Sequence, residues 1–131
     1  MASVFTKIIN GDIPSYKIAE NENYIAILDA FPLVEGHILV IPKQEVDQLF
    51  DLDKTTYLGL MDFAYEIAQA IEKAIPCLRV GVAVVGLEVP HVHVHLVPLN
   101  SMQDINFSNP KLQLSAEKMI EIADTIKSYL Q

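Results

Sequence analysis

Three of the four histidines stand at alternate positions of an apolar run, His91-Val92-His93-Val94-His95-Leu96, within "PHVHVHLVPL" (90–99). In an extended chain successive side chains point to opposite faces, so the three imidazoles share one face while Val92, Val94 and Leu96 turn into a core. Neighbouring imidazoles on such a face lie about 6 to 7 Å apart, which leaves space for a phosphate-sized group. Four uses of this pattern are open. The rings could decorate an exposed sheet face, or His-x-His could supply two ligands of a metal site that His37 completes. A cluster of imidazoles could also sense pH. Finally, a neutral imidazole could attack as a nucleophile while its neighbours donate or accept protons near neutral pH. Side-chain chemistry puts the last first.

The elements that must position these rings are legible in the surrounding pattern. "FTKIINGDIP" opens with a short amphipathic piece that stops at the turn signal Asn10-Gly11. "YKIAE" (16–20), "YIAIL" (24–28) and "HILVIP" (37–42) are rich in β-branched and aromatic residues and read as strands of a meander. From Asp53 to Ala74, Tyr57, Leu60, Met61, Ala64, Ile67, Ala68 and Ile71 recur at three and four spacing, which predicts one long helix stopped near Pro76 and lying on the sheet. "RVGVAVV" (79–85) and "HVHVHLV" (91–97) are two further strands, and the five residues between them, Gly86 included, predict an antiparallel hairpin. "SAEKMIEIADTIKSYL" closes the chain as an amphipathic helix with Ser115 as N-cap. The expected class is α+β: a mainly antiparallel five-stranded sheet with one long helix and a C-terminal helix.

Composition narrows the function. A chain of 131 residues with 51% hydrophobic content fits one domain, 1–131, with one sizeable core. "VGVAVVGL" (80–87), the longest apolar stretch, is too short to span a membrane, and the N-terminal residues lack the apolar region of a signal peptide, so a cytoplasmic protein without membrane contact is expected. The lone Cys77 excludes an internal disulfide and any CxxC zinc motif. A formal net charge of −8 argues against long nucleic acids, whose binding rests on Lys and Arg neutralising phosphates. A phosphorylated ligand must be small and locally held.

"HVHVHLV", together with "FTKIINGDIP" and "AILDAFPLVEGHILVIPK", resembles the histidine triad (HIT) family, Hint-like branch, in block order and spacing over nearly the first hundred residues. The resemblance implies a HIT fold and a nucleotide phosphoramidase, or a nucleoside-phosphate hydrolase or transferase, that works through a nucleotidyl-histidine intermediate. It implies His93 as nucleophile, His95 as hydrogen-bond donor or proton source beside the phosphate, His91 holding the His93 ring through its backbone carbonyl, and His37 as an additional histidine near the site. Asp29 matches the acid that accepts hydrogen bonds from both ribose hydroxyls. Val4, Phe5, Ile8, Ile13, Ile27 and Leu28 fall where the family lines its base pocket, although any of them could be plain core.

Glu88 and Val89 border the nucleotide site just before the triad, and here the sequence departs from the branch. "VVGLEVPH" has a shorter turn, Leu87 and Glu88 stand where Gln-Ser or Gln-Thr is usual, and Val85 offers no amide. Neutral donors to the phosphate are lost and a carboxylate is gained. If it faces the site it should favour phosphoramidates of basic amines over anionic leaving groups. The expected ligand is a purine nucleoside monophosphate conjugate; a homodimer is implied; no cofactor and no metal ligands are assigned. The alternatives are a nucleotide-binding regulatory protein with slow turnover and, behind it, a metal-dependent hydrolase.

Overall fold

The computed structural model describes residues 2–130, with the elements α1 (Val4–Ile9), β1 (Lys17–Glu20), β2 (Tyr24–Leu28), β3 (Ile38–Pro42), α2 (Lys54–Ala74), β4 (Arg79–Ala83), β5 (Val94–Leu99) and α3 (Ala116–Lys127). The five strands form one antiparallel sheet in the order β1-β2-β3-β5-β4. The α+β class with one long and one C-terminal helix is therefore as expected. The first three strands make the meander. The chain then crosses over through α2 to the edge strand β4 and returns as β5, which inserts between β3 and β4.

Caps set the helix boundaries. Asp53 accepts the Thr56 N–H ahead of α2, Ser115 accepts the Lys118 N–H ahead of α3, and Ser3 accepts the Thr6 N–H ahead of α1. Ile75 ends α2 immediately before Pro76, which cannot continue a helix.

Every residue of β2 and β3 is buried, because both faces of the sheet are covered. Ala26, Leu28, Ile38, Val40, Val94 and Leu96 pack under Leu60, Ala64, Ile67 and Ile71 of α2 and Met119, Ile122 and Ile126 of α3. The alternate residues Ile25, Ile27, Leu39 and Ile41 pack on the other side with Phe5, Ile8 and Ile9 of α1. Strand periodicity alone assigns these two sets to opposite faces.

Two expectations change. The connection between β4 and β5 is not five residues but ten (84–93), since pairing ends at Ala83↔His95. Its residues bond elsewhere: the Val92 N–H goes to the Val46 carbonyl at 2.8 Å, outside the hairpin. His91 and His93 consequently precede the strand and only His95 lies within it. The second change is burial. Val92, Val94 and Leu96 enter the core as expected, but the histidine face is not open: His91, His93 and His95 are 0%, 7% and 8% exposed.

Candidate active site

A cavity of about 580 Å³ opens on the histidine face of the sheet. Phe5, Ile8, Ile27, Leu28, Asp29, His37, Glu88, Val89, His93 and His95 all line it, as does Val4. Two expected residues do not. Ile13 lies outside the lining, its N–H turned back to the Lys7 carbonyl at 3.3 Å. His91 sits behind His93, fully buried.

Hydrogen bonds fix the protonated nitrogen of each ring, because a carbonyl only accepts and an amide N–H only donates. His91 donates from Nε2 to the Pro42 carbonyl at 2.8 Å, so its Nδ1 accepts from the Ser3 hydroxyl at 2.7 Å. Glu45 anchors Ser3 in turn, accepting its N–H at 2.8 Å and the Thr6 hydroxyl at 2.5 Å. The Ser3 N–H and the Thr6 hydroxyl hold the Glu45 carboxyl below its ordinary range. His93 donates from Nδ1 to the His91 carbonyl at 2.8 Å, so in the neutral ring Nε2 carries the lone pair.

The opposite tautomer is imposed on His95. The Leu33 N–H donates to His37 Nδ1 at 3.0 Å, which leaves the His37 proton on Nε2. That proton is donated to His95 Nδ1 at 3.0 Å, and neutral His95 therefore carries its own proton on Nε2. Gly36 shapes the turn that delivers His37. Its φ of +92° suits glycine, and the Ile75 and Pro98 side chains lie 2.9 and 3.2 Å from where a Cβ would stand.

Burial keeps these rings neutral. Desolvation pushes His37 down to about 3 and His95 down to about 4, reinforced in each case by neighbouring cationic charge. His93 is also lowered, by desolvation first, with the His91 carbonyl and the Asp29 and Glu88 charges opposing. Burial raises the Asp29 carboxyl against the Phe31 N–H that it accepts at 3.0 Å. With His37 neutral, its 3.6 Å approach to Asp29 Oδ2 is not an ion pair.

Phe5 stacks edge-on to His93, with centroids 4.8 Å apart. The His93 and His95 rings also meet edge-on at 4.9 Å, closer than an ideal strand face spaces them. Asp29, His37 and His95 offer one oxygen and two nitrogens within 4.8 Å of one another, spacing that could hold a metal ion. The His37–His95 hydrogen bond already uses one nitrogen of each ring, so a metal would have to replace it.

The family model for the HIT domain matches residues 10–102. The chain belongs to the HIT family. A HIT-like protein of Borreliella burgdorferi is 32% identical over 128 residues, 92% of each chain. An adenosine 5'-monophosphoramidase of Schizosaccharomyces pombe is 29% identical over 133 residues, with both chains covered completely. Among solved structures, a HIT-like protein from Bartonella henselae described as involved in cell-cycle regulation superposes with a TM-score of 0.85 at 29% identity, covering 98% of this chain and 96% of that one.

The HIT motif does not extend to every wall of the cavity. Phe107 lies edge-on to His95 at 4.7 Å, and Lys111 lines the same space. Both come from "NFSNPKLQL" (106–114), a polar loop without periodicity between β5 and α3. Its one aromatic residue, Phe107, was the signal that could have pointed to a packed partner. Glu88 also lines the cavity and is exposed.

Proposed function

We propose that this HIT protein hydrolyses nucleoside 5'-monophosphate amides, purine nucleotides among them, through a transient nucleotidyl-His93. One observation carries the reading: two adjacent buried imidazoles of opposite tautomer line one cavity, His93 with a lone pair on Nε2 and His95 with a proton there. A nucleophile at phosphorus needs the first, and charge developing on the phosphoryl and leaving groups needs the second. The reacting amide carries its extra proton on the bridging nitrogen. His93 Nε2 bonds to phosphorus, the P–N bond breaks and the neutral amine departs. Water then attacks phosphorus, His93 is released, and one proton passes to solvent.

Phe5, Ile8 and Ile27 supply apolar surface for the base, and Asp29 supplies two oxygens for the ribose hydroxyls; the Leu28 side chain belongs to the helix-side core. No step requires a metal. The phosphoramidase named in Schizosaccharomyces pombe supports the reaction class. A homodimer is part of the same reading, supported by exposed Leu58 and Tyr65 on α2 and Val82 on the edge strand β4. The single thiol, Cys77, suits a reducing cytoplasm.

Incubation with adenosine 5'-phosphoramidate and rapid quenching tests the proposal. AMP should form, a nucleotidyl adduct should map to His93, and chelator should leave the rate unchanged. Wild-type rates in His93→Asn would overturn the covalent route. Activity lost to chelator and restored by zinc would favour chemistry at Asp29, His37 and His95. A second reading, nucleotide binding with slow turnover, draws on Leu87, 89% exposed, and Glu88 replacing neutral phosphate donors; AMP binding without adduct or product would select it.

A further inference from the structure

The walls of the cavity divide by element. Phe5, Ile8 and Ile27, from α1 and β2, form the apolar wall assigned above to the base, and Asp29 follows at the end of β2. A strap over 107–111 closes beside Asp29: the Lys111 Nζ donates to the Phe107 carbonyl at 2.7 Å, and the Leu112 N–H ties the strap to the Pro32 carbonyl at 2.9 Å. His93 and His95 make the floor. The wall that remains is the connection leaving β4, which contributes Val85, Leu87, Glu88 and Val89.

That connection passes over the floor. One transverse row of the sheet runs Ile27, Leu39, His95 and Ala83, each directly opposite the next. Opposed residues of an antiparallel pair share a face, so the row leads from the base wall, past the histidines, to the edge strand. The chain leaves β4 after Ala83 and returns to the base wall at Val89, which packs with the cluster of Phe5 and Ile27. Residues 84–88 therefore bridge the two ends of the row. In an in-line displacement the attacking and leaving atoms lie on opposite sides of phosphorus. His93 attacks from the floor, so the leaving amine points to the opening that this bridge borders.

The bridge is apolar there and uncovered. Val85 and Leu87 both line the cavity, yet they are 48% and 89% exposed. Apolar area left in water at the rim of a cavity is covered favourably by apolar surface on a ligand. Charge sets no opposing preference, because the exposed charged residues of the lining are one of each sign, Glu88 and Lys111.

We propose that Val85 and Leu87 form the leaving-group subsite, and that the preferred substrates are nucleoside monophosphate amides of amines with an apolar, uncharged chain. This rests on the phosphoramidase reading above and deepens it. It also replaces the preference for basic amines that Glu88 suggested from the sequence, because Lys111 brings the opposite charge to the same cavity.

Two adenosine 5'-phosphoramidates separate polarity from shape: the amide of pentylamine, and that of 3-methoxypropylamine, in which an ether oxygen replaces a methylene. The wild type should favour the pentyl amide about fivefold in kcat/KM, the effect of covering a methylene. Leu87→Asn, close to leucine in shape, should remove most of that preference, and Leu87→Met should keep it. Combining Leu87→Asn with Val85→Thr should abolish it. No preference in the wild type, or a preference unchanged in the double variant, overturns the proposal. So does an equal loss on both amides, the result expected if the rim instead seats a second copy of the chain, in which case sedimentation shows the variant dissociating. If the wild type cleaves neither amide, the phosphoramidase reading fails and the subsite is read from calorimetric affinities for the intact amides. Tighter binding of the pentyl amide that Leu87→Asn removes then sustains the contact, whereas equal affinities, or no binding of either, overturn it.

Discussion

On one side of the sheet, Leu60, Ala64, Ile67 and Ile71 of a 21-residue helix close over Ile38, Val40, Val94 and Leu96. On the other, a helix of six residues and the 107–111 strap close over four histidines. Both sides bury their side chains, but the first is held by aliphatic area and the second, which also borders the cavity, by directed hydrogen bonds. Substituting into the first should therefore show as lost stability, and into the second as lost activity, acid sensitivity or selectivity.

The largest effect should come from crossing that divide. His93→Asn should lower turnover on the order of a thousandfold or more, with AMP affinity nearly intact, since the base and ribose contacts lie elsewhere. Ile71→Ala, fully buried against the sheet, should cost about 2 to 5 kcal/mol of stability while folded protein keeps its kcat. Denaturant melts and initial rates on both variants check the pair, and a strongly destabilised His93→Asn would dissolve the contrast.

Acid should reach the histidine side first. His37 and His95 titrate near 3 and 4 when folded, against about 6.5 in the unfolded chain. Below pH 6.5 the unfolded chain takes up protons that the folded one refuses. The stability these neutral rings allow is therefore complete above that value and falls as pH drops toward 4. The loss between pH 7 and pH 5 should be up to about 4 kcal/mol. Urea melts at both values measure it, and His95→Asn should flatten the dependence.

Asp29→Ala should remove most of a preference for AMP over its 2'-deoxy analogue that is worth about 1 to 3 kcal/mol in the wild type, because the missing hydroxyl leaves a carboxylate acceptor unpaired. Calorimetry with the two nucleotides decides it; equal wild-type affinities would remove the ribose assignment. The smallest effect is expected from Ser3→Ala, which deletes both the α1 cap and the hydroxyl bonded to His91. About 1 kcal/mol of stability should be lost, with a modest fall in kcat as the His91 ring loosens.

Much of this was legible in the sequence. β-Branched and aromatic runs between turn residues marked the strands, three and four spacing marked α2, and Ser115 announced α3 as its cap. Alternation could not show where pairing stops. Val84-Val85 and His91-Val92 continue the pattern of β4 and β5, yet the chain leaves the ladder there and bonds to Val46. Nor could it show that the histidine face is roofed, because the roof comes from residues 2–9 and 107–111, remote in sequence and, in the second case, without periodicity. Lys111 was invisible for the same reason. The pairing of opposite tautomers needed atomic distances, since identical residues at identical spacing differ only in what their Nδ1 atoms meet.

That pairing begins at a main-chain atom. The Leu33 amide does not titrate at any pH the fold survives, so the hydrogen bond it makes to His37 points one way only. The orientation of the His95 proton is therefore inherited from the peptide backbone, and exchanging the Leu33 side chain for any other that leaves the turn intact will preserve it. Proline alone among the coded residues removes the donor itself. The site thus keeps its handedness of proton donation in a place where side-chain mutation can scarcely reach it. Leu33, which has no functional group of its own, becomes the position at which one imine substitution could invert the pair.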